Sequence, residues 1–169
     1  MPATLEMRAG DAADAMVATG LQCLVRAARY HGVHLTAAGL AREYGLGSEE
    51  PGGDQLGRIA NDYGLRLDEL SLDRRQLARL ASVTPAIIRL TNGNAMLLLE
   101  VTGAADAAMA TLYDPAVGEA TPLVIELARL AAAADGGVLL IQRDGVAAES
   151  RSQPFDMSWL LHEVMREHR

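Results

Sequence analysis

Residues 18–33 read ATGLQCLVRAARYHGV. Leu21, Leu24, Val25 and Ala28 recur at helical spacing and share one face, so a helix is expected from Met16 to Tyr30, with Gly32 as its stop. The Thr-Gly-Leu-x-Cys run that opens it also holds Cys23, the single thiol of the chain. Cys23 is either a nucleophile at the head of a helix or a small core residue. Free cysteine is among the most buried residue types, and that favours the core.

The segments that follow keep a helical rhythm at first. Thr36 is placed to cap a helix running to about Tyr44, with Leu40 and Ala41 inward and Gly45 ending it. EEPGGDQ (49–55) reads as a turn, and Asp54 as the cap of a third helix carrying Leu56, Ile59, Ala60 and Tyr63. The period then changes. LRLDELSL (65–72) alternates as a half-buried strand does, and Asp73 looks like the cap of a short helix over RRQLARLA (74–81). PAIIRL (85–90), AMLLLEV (95–101) and MATLYD (109–114) are short apolar runs divided by the turn sequences TNGN and TGAADA. DPAVGEA (114–120) is a further turn. Thr121-Pro122 is expected to start a helix through about Ala133, and VLLIQ (138–142) to form the last strand. Helices first and strands afterwards predict an α+β domain, a mainly antiparallel sheet with helices packed on one side.

The ends differ from this body. Residues 1–13 lack periodicity and read as a flexible arm, 14–145 as the domain, and 146–169 as a linker followed by an amphipathic helix. In that tail Met157, Leu160, Leu161, Val164 and Met165 form the apolar face, with Phe155 and Trp159 nearby. Such a face can pack on the body, or lie on a membrane or partner in a longer parent protein.

Composition narrows the function. The chain has 169 residues, 50% hydrophobic and 4% aromatic, and carries a net charge of -7. That balance argues against nucleic-acid binding, which needs a concentrated basic surface. All the cations besides histidine are arginines, with Arg29, Arg66 and Arg89 as candidates for local positive patches. One cysteine excludes an internal disulfide and fits a reducing compartment. Neither a signal peptide nor an apolar run long enough to cross a bilayer is seen, so a cytosolic chain is expected. His31 and His34 stand at i, i+3, but a tetrahedral metal site needs ligands beyond that pair, and the other histidines, His162 and His168, lie in the tail with no Cys partner. No Walker A or dinucleotide glycine motif is present.

The ordered series ATGLQCLVRAARYHGV, LAREYGL, QLGRIANDYGLRLDEL, PAIIRL, NGNAMLLLEV and YDPAVGEA resembles the bacteriocin-processing, papain-like cysteine peptidase domain at the N-terminus of many bacterial ABC exporters. The resemblance spans roughly residues 14–143 and implies a papain-like fold. In active members of that family the nucleophilic Cys precedes Gly-Leu in the first block; the matching position here is Thr19. The catalytic His directly precedes the apolar strand, and its place is Ala95. The oxyanion-donating Gln falls near Ala13. Only the acid of the triad has a counterpart, Asp114; with no imidazole to orient, its expected role is that of an Asp in Asp-Pro-x-x-Gly that hydrogen-bonds its own turn.

Thr19 brings a far weaker acid than a thiol, and Ala95 brings no base. Cys23 and His31 stand eight positions apart on one helix, about 12 Å along its axis, too far to form a replacement dyad. The resemblance therefore implies a degenerate relative: a non-catalytic domain that recruits or tethers an unfolded, acidic protein substrate for a type I secretion ABC transporter. It implies no cofactor in this domain and ATP with Mg in the parent transporter. It also implies contact with that transporter's membrane and nucleotide-binding domains, at the cytoplasmic face of the bacterial inner membrane. The alternatives are an active double-glycine leader peptidase and a regulatory domain that contacts the ATPase domains.

Overall fold

A computed structural model describes residues 17–82, 85–117 and 122–143; the arm at 1–13 and the tail at 146–169 lie outside these residues. The described chain opens with three helices: α1 (Thr19–Tyr30), α2 (Ala37–Glu43) and α3 (Gly53–Asp62). There follow β1 (Leu65–Ser71), a short α4 (Arg74–Leu77) that tightens into a 3-10 turn at Ala78–Ser82, β2 (Ala86–Leu90), β3 (Ala95–Thr102) and β4 (Met109–Tyr113). The described chain closes with β5 (Leu123–Glu126), α5 (Leu127–Ala133) and β6 (Ala134–Arg143). The strands form one six-stranded sheet in the order β1-β6-β2-β3-β4-β5, with every pair antiparallel.

The expected capping residues are partly in place. Thr36 accepts from the Gly39 amide at the start of α2, and Asp73 accepts from Gln76 at the start of α4, where Gln76 returns the bond as a reciprocal capping box. Asp54 does not cap α3. Gly52 does, and Asp54 sits in the first turn, where its charge still complements the helix dipole.

The sheet is covered on both faces, not on one. Successive strand residues point to opposite sides, so the fully buried pairs Ile87 and Ile88, Leu97 and Leu98, and Leu139 and Leu140 require apolar neighbours above and below. Leu21, Leu24, Leu56 and Ile59 of α1 and α3 meet Ile87, Leu97 and Leu139 on the first face. On the second, Leu77, Leu80, Leu127 and Leu130 meet Ile88, Leu98, Leu112 and Leu140. The uninterrupted apolar runs of β2, β3 and β6 follow from this double burial.

The helix expected over residues 121–133 is half strand. Leu123–Glu126 pairs with β4, in the register Met109↔Glu126 to Leu112↔Leu123, and the chain turns helical only at Leu127. The β-branched pair Val124-Ile125 favours that pairing, and Pro122 directly before a strand removes no ladder bond. The last strand also begins earlier than VLLIQ, because Ala134–Gly137 already pairs with β1 and β2.

Between α2 and α3 two tyrosines form crossed bonds. The Tyr44 hydroxyl donates to Asp62 Oδ2 at 2.6 Å, and the Tyr63 hydroxyl donates to Glu43 Oε2 at 2.7 Å. Each carboxylate holds the proton on its phenol, so both tyrosines titrate above their ordinary value, hydrogen bonding being the leading cause. Because the folded value is raised, the contribution to stability is complete below the unfolded tyrosine's pKa of about 10 and disappears as pH climbs through the folded value. Urea unfolding is therefore expected to show the wild type losing stability above about pH 10. The Tyr44→Phe, Tyr63→Phe double variant should start lower and show a flatter pH dependence over that range.

Candidate functional site

The site lies where the amino end of α1 meets the start of β3. α1 begins without a capping side chain of its own: Ala18 occupies the cap, and no acidic residue lies in the first turn. A carboxylate from the loop between α2 and α3 supplies what is missing. Glu50 Oε1 accepts from the Thr19 amide at 2.5 Å and from the Thr19 hydroxyl, and Oε2 accepts from the Gly20 amide at 2.9 Å. Amide donors and the positive end of the helix dipole both favour an anion there. Gly20 makes the approach possible, since a Cβ on it would stand 3.0 Å from Glu50 Oε2.

The Thr19 hydroxyl is bonded on its other side as well. It accepts from the Ala95 amide at 2.8 Å and so ties α1 to the first residue of β3 across 76 positions of sequence. The fold thus brings together two of the four positions singled out by the sequence. Asp114 follows the last β3–β4 pair, Leu97↔Tyr113, and so lies at the same end of the sheet as Ala95. Its Oδ1 accepts from the Ala116 amide at 2.9 Å, the turn-stabilising role open to it in Asp-Pro-x-x-Gly. The position near Ala13 lies outside the described residues.

Cys23 stands one turn along α1 and is fully buried. Burial pushes its thiol well above the ordinary value, and the negative charges of Glu50 and Asp114 push it further the same way. His31 caps the far end of α1, away from this carboxylate. Among the described residues no group of three or more His, Cys, Asp or Glu side chains is arranged to hold a metal ion.

Beside the Thr19–Ala95 contact opens a cleft of about 210 Å³, with Leu56, Ile87 and Leu139 among its apolar lining and Glu50, Arg89 and Asp135 among its charged lining. Arg89 Nη1 pairs with Glu69 at 3.3 Å, while Nη2 is buried without a hydrogen-bond partner. Of the three arginines proposed for positive patches, Arg89 thus lines the cleft, but with its charge already matched by Glu69. Arg66 pairs with Asp68 at 3.0 Å on the outer strand, and Arg29 is exposed near the far end of α1.

Glu50 is the residue that sequence reasoning missed, having been absorbed into a turn. The signal was indirect. A helix opening Ala-Thr-Gly-Leu, with nothing to cap it locally, needs an acceptor from elsewhere, and Glu50 stands beside a Pro-Gly-Gly bend able to deliver one.

The family model of the peptidase C39 family matches residues 15–143. The chain belongs to that family. No curated protein matches the chain. Solved structures share the fold. The N-terminal peptidase C39-like domain of a toxin secretion ATP-binding protein from Vibrio parahaemolyticus aligns with a TM-score of 0.64 at 22% identity, covering 76% of this chain and 99% of that one. A double glycine motif protease from an AMS/PCAT transporter, solved in complex with its leader peptide, aligns at 0.63 and 17% identity over 84% of this chain and 91% of its own. The peptidase domain of Streptococcus ComA, a bi-functional ABC transporter of a quorum-sensing pathway, aligns at 0.62 and 13% identity over 75% and 91%. The α+β, papain-like architecture expected from the resemblance is the one found. Among the described residues no helix is long and apolar enough to cross a membrane.

The buried, proton-holding Cys23 of this C39 domain sets a first test. Native protein mixed with an excess of a thiol reagent at neutral pH is expected to label only as fast as the fold opens, and immediately in denaturant. Labelling of the native state at the rate of a free thiol would contradict the burial.

Proposed function

We propose that this chain is a non-catalytic peptidase-like domain of a type I secretion ABC transporter, one that holds an unfolded polypeptide for export at the cytoplasmic face of the bacterial inner membrane. The observation that carries the reading is the Thr19 hydroxyl, held between the Glu50 carboxylate and the Ala95 amide. Acyl transfer by this family's route needs a thiolate, an imidazole to accept and return the proton, and free donors for the oxyanion. Thr19 carries a hydroxyl, and threonine nucleophiles rely on their own N-terminal amine. Ala95 carries a methyl. The Thr19 and Gly20 amides already serve Glu50.

Glu50 adds an electrostatic obstacle. A negative charge beside the head of α1 opposes the formation of a second one, so the helix end that could stabilise a thiolate is already neutralised. The cleft remains, and a like-folded protease holds a leader peptide; both support a polypeptide-binding role without chemistry. ATP and Mg belong, in this proposal, to the nucleotide-binding domains of the parent transporter, which together with its membrane domain are the partners of this module.

The decisive measurement places a thiol at the vacant position. In a Cys23→Ala background, the Thr19→Cys thiol is expected to titrate above the ordinary value of about 8.5, and Glu50→Gln to bring it down by about one unit or more. The unsubstituted chain should leave a double-glycine leader peptide intact while retaining an unfolded polypeptide in a pull-down. Cleavage of that peptide by the unsubstituted chain would establish the active peptidase instead. Capture of an isolated ATPase domain with no capture of unfolded polypeptide would establish the regulatory alternative.

A further inference from the structure

The two edges of the sheet are built differently. β1 carries Arg66, Asp68 and Glu69, and each is engaged in an ion pair, Arg66 with Asp68 and Glu69 with Arg89. Charges on an outer strand discourage another strand from pairing with it. β5, the opposite edge, reads Leu-Val-Ile-Glu and pairs only with β4 among the described residues. Leu123 is 39% exposed and Val124 56%.

The register explains the exposure of Val124. Ile125 and Leu123 stand opposite Ala110 and Leu112, which belong to the core under α4 and α5. Val124 and Glu126 therefore point to the face of α1–α3, where α1 and α3 pack mainly over β1, β2 and β3. Resting on the reading of the chain as a holder of unfolded polypeptide, we propose that the outer edge of β5 takes up an extended segment alternating apolar and basic side chains, as a seventh strand.

An open strand edge offers a row of backbone donors and acceptors, and an extended chain is the partner that can answer them regardless of its detailed sequence. Apolar side chains of the guest would fall on the face of Leu123 and Ile125 and extend the core beneath α4 and α5. Basic ones, on the opposite face, would lie beside Val124 and Glu126 in the negative field of a chain with net charge -7, so the segment held here differs from the acidic cargo that the resemblance implies. A second copy of this chain is a poorer occupant. Four residues of strand bury far less than the ~1,200 Å² of a stable pair, and two chains each at -7 repel. The same short edge makes the guest's stay brief, which suits a segment that must later leave.

The test uses the full chain and labelled peptides of about ten residues, a strand's usual upper length. One alternates Val and Lys, one has the same sequence with alternate backbone nitrogens methylated, and one alternates Val and Glu. Fluorescence anisotropy is expected to show the Val/Lys peptide binding, with the methylated and Val/Glu peptides each weaker by about tenfold or more. Val124→Lys should weaken the Val/Lys peptide by about tenfold while the thermal midpoint stays in place. Amide resonances of residues 123–126 should shift on binding. Equal affinity for the methylated peptide, or shifts confined to the cleft beside Thr19, would overturn the β5 edge and leave the cargo-holding reading standing. Cleavage of a leader peptide by the unsubstituted chain would remove the cargo-holding reading and leave the edge measurements untouched.

Discussion

The amino end of α1 cannot satisfy itself. A helix leaves its first amides without internal partners, and neither Ala18 nor the first turn of α1 supplies a side chain to meet them. Glu50 does so from 30 residues away, in a bond between charge and dipole that also fixes the Thr19 hydroxyl. That hydroxyl in turn holds the Ala95 amide, so one carboxylate sets the loop before α3, the head of α1 and the start of β3 relative to one another. Charge-assisted bonds of this kind are worth roughly 1.5–3 kcal/mol each, a large share of the margin by which a domain of this size stays folded. The apolar side of α1 then needs only to settle onto Ile87, Leu97 and Leu139.

Which parts of this were legible in the sequence follows from the range over which each is specified. The period of Leu21, Leu24, Val25 and Ala28, the Thr36 and Asp73 caps and the alternation of β1 are written within a turn or two of helix or strand, and they appear in the structure where the sequence put them. The second apolar face was legible in principle. AIIRL and AMLLLE do not alternate, and a strand without alternation is buried on both sides. Reading those runs only as strands lost the information that α4 and α5 must lie opposite α1–α3.

Residues 123–126 and Glu50 were illegible for a different reason. A Pro followed by an apolar run is a sound helix start in isolation, and only the β4 edge, an element 10 or more residues earlier, converts its first four residues into strand. Glu50 acts on a helix whose own sequence gives no hint of the partner's address. Thr19 and Ala95, set side by side by the resemblance alone, do meet, but what joins them is written in neither stretch.

That joining bears on how such a site can change its work. A centre built for acyl transfer must keep oxyanion donors free and a nucleophile exposed, and groups held unsatisfied for a transition state cost the resting fold stability. At the head of α1 the opposite has been arranged. Both amides have an acceptor, the hydroxyl has a donor and an acceptor, and the neighbouring thiol is buried and held protonated. Under the proposed reading, a domain released from catalysis gains by closing these bonds, and Gly20, which leaves room for Glu50, carries no substituent that would oppose it. A single substitution at Thr19 would then restore little, since the carboxylate would remain where a developing negative charge needs to be. Recognition of a polypeptide, by contrast, asks of the fold only a cleft and an unpaired edge, and neither depends on the sulfur or the imidazole.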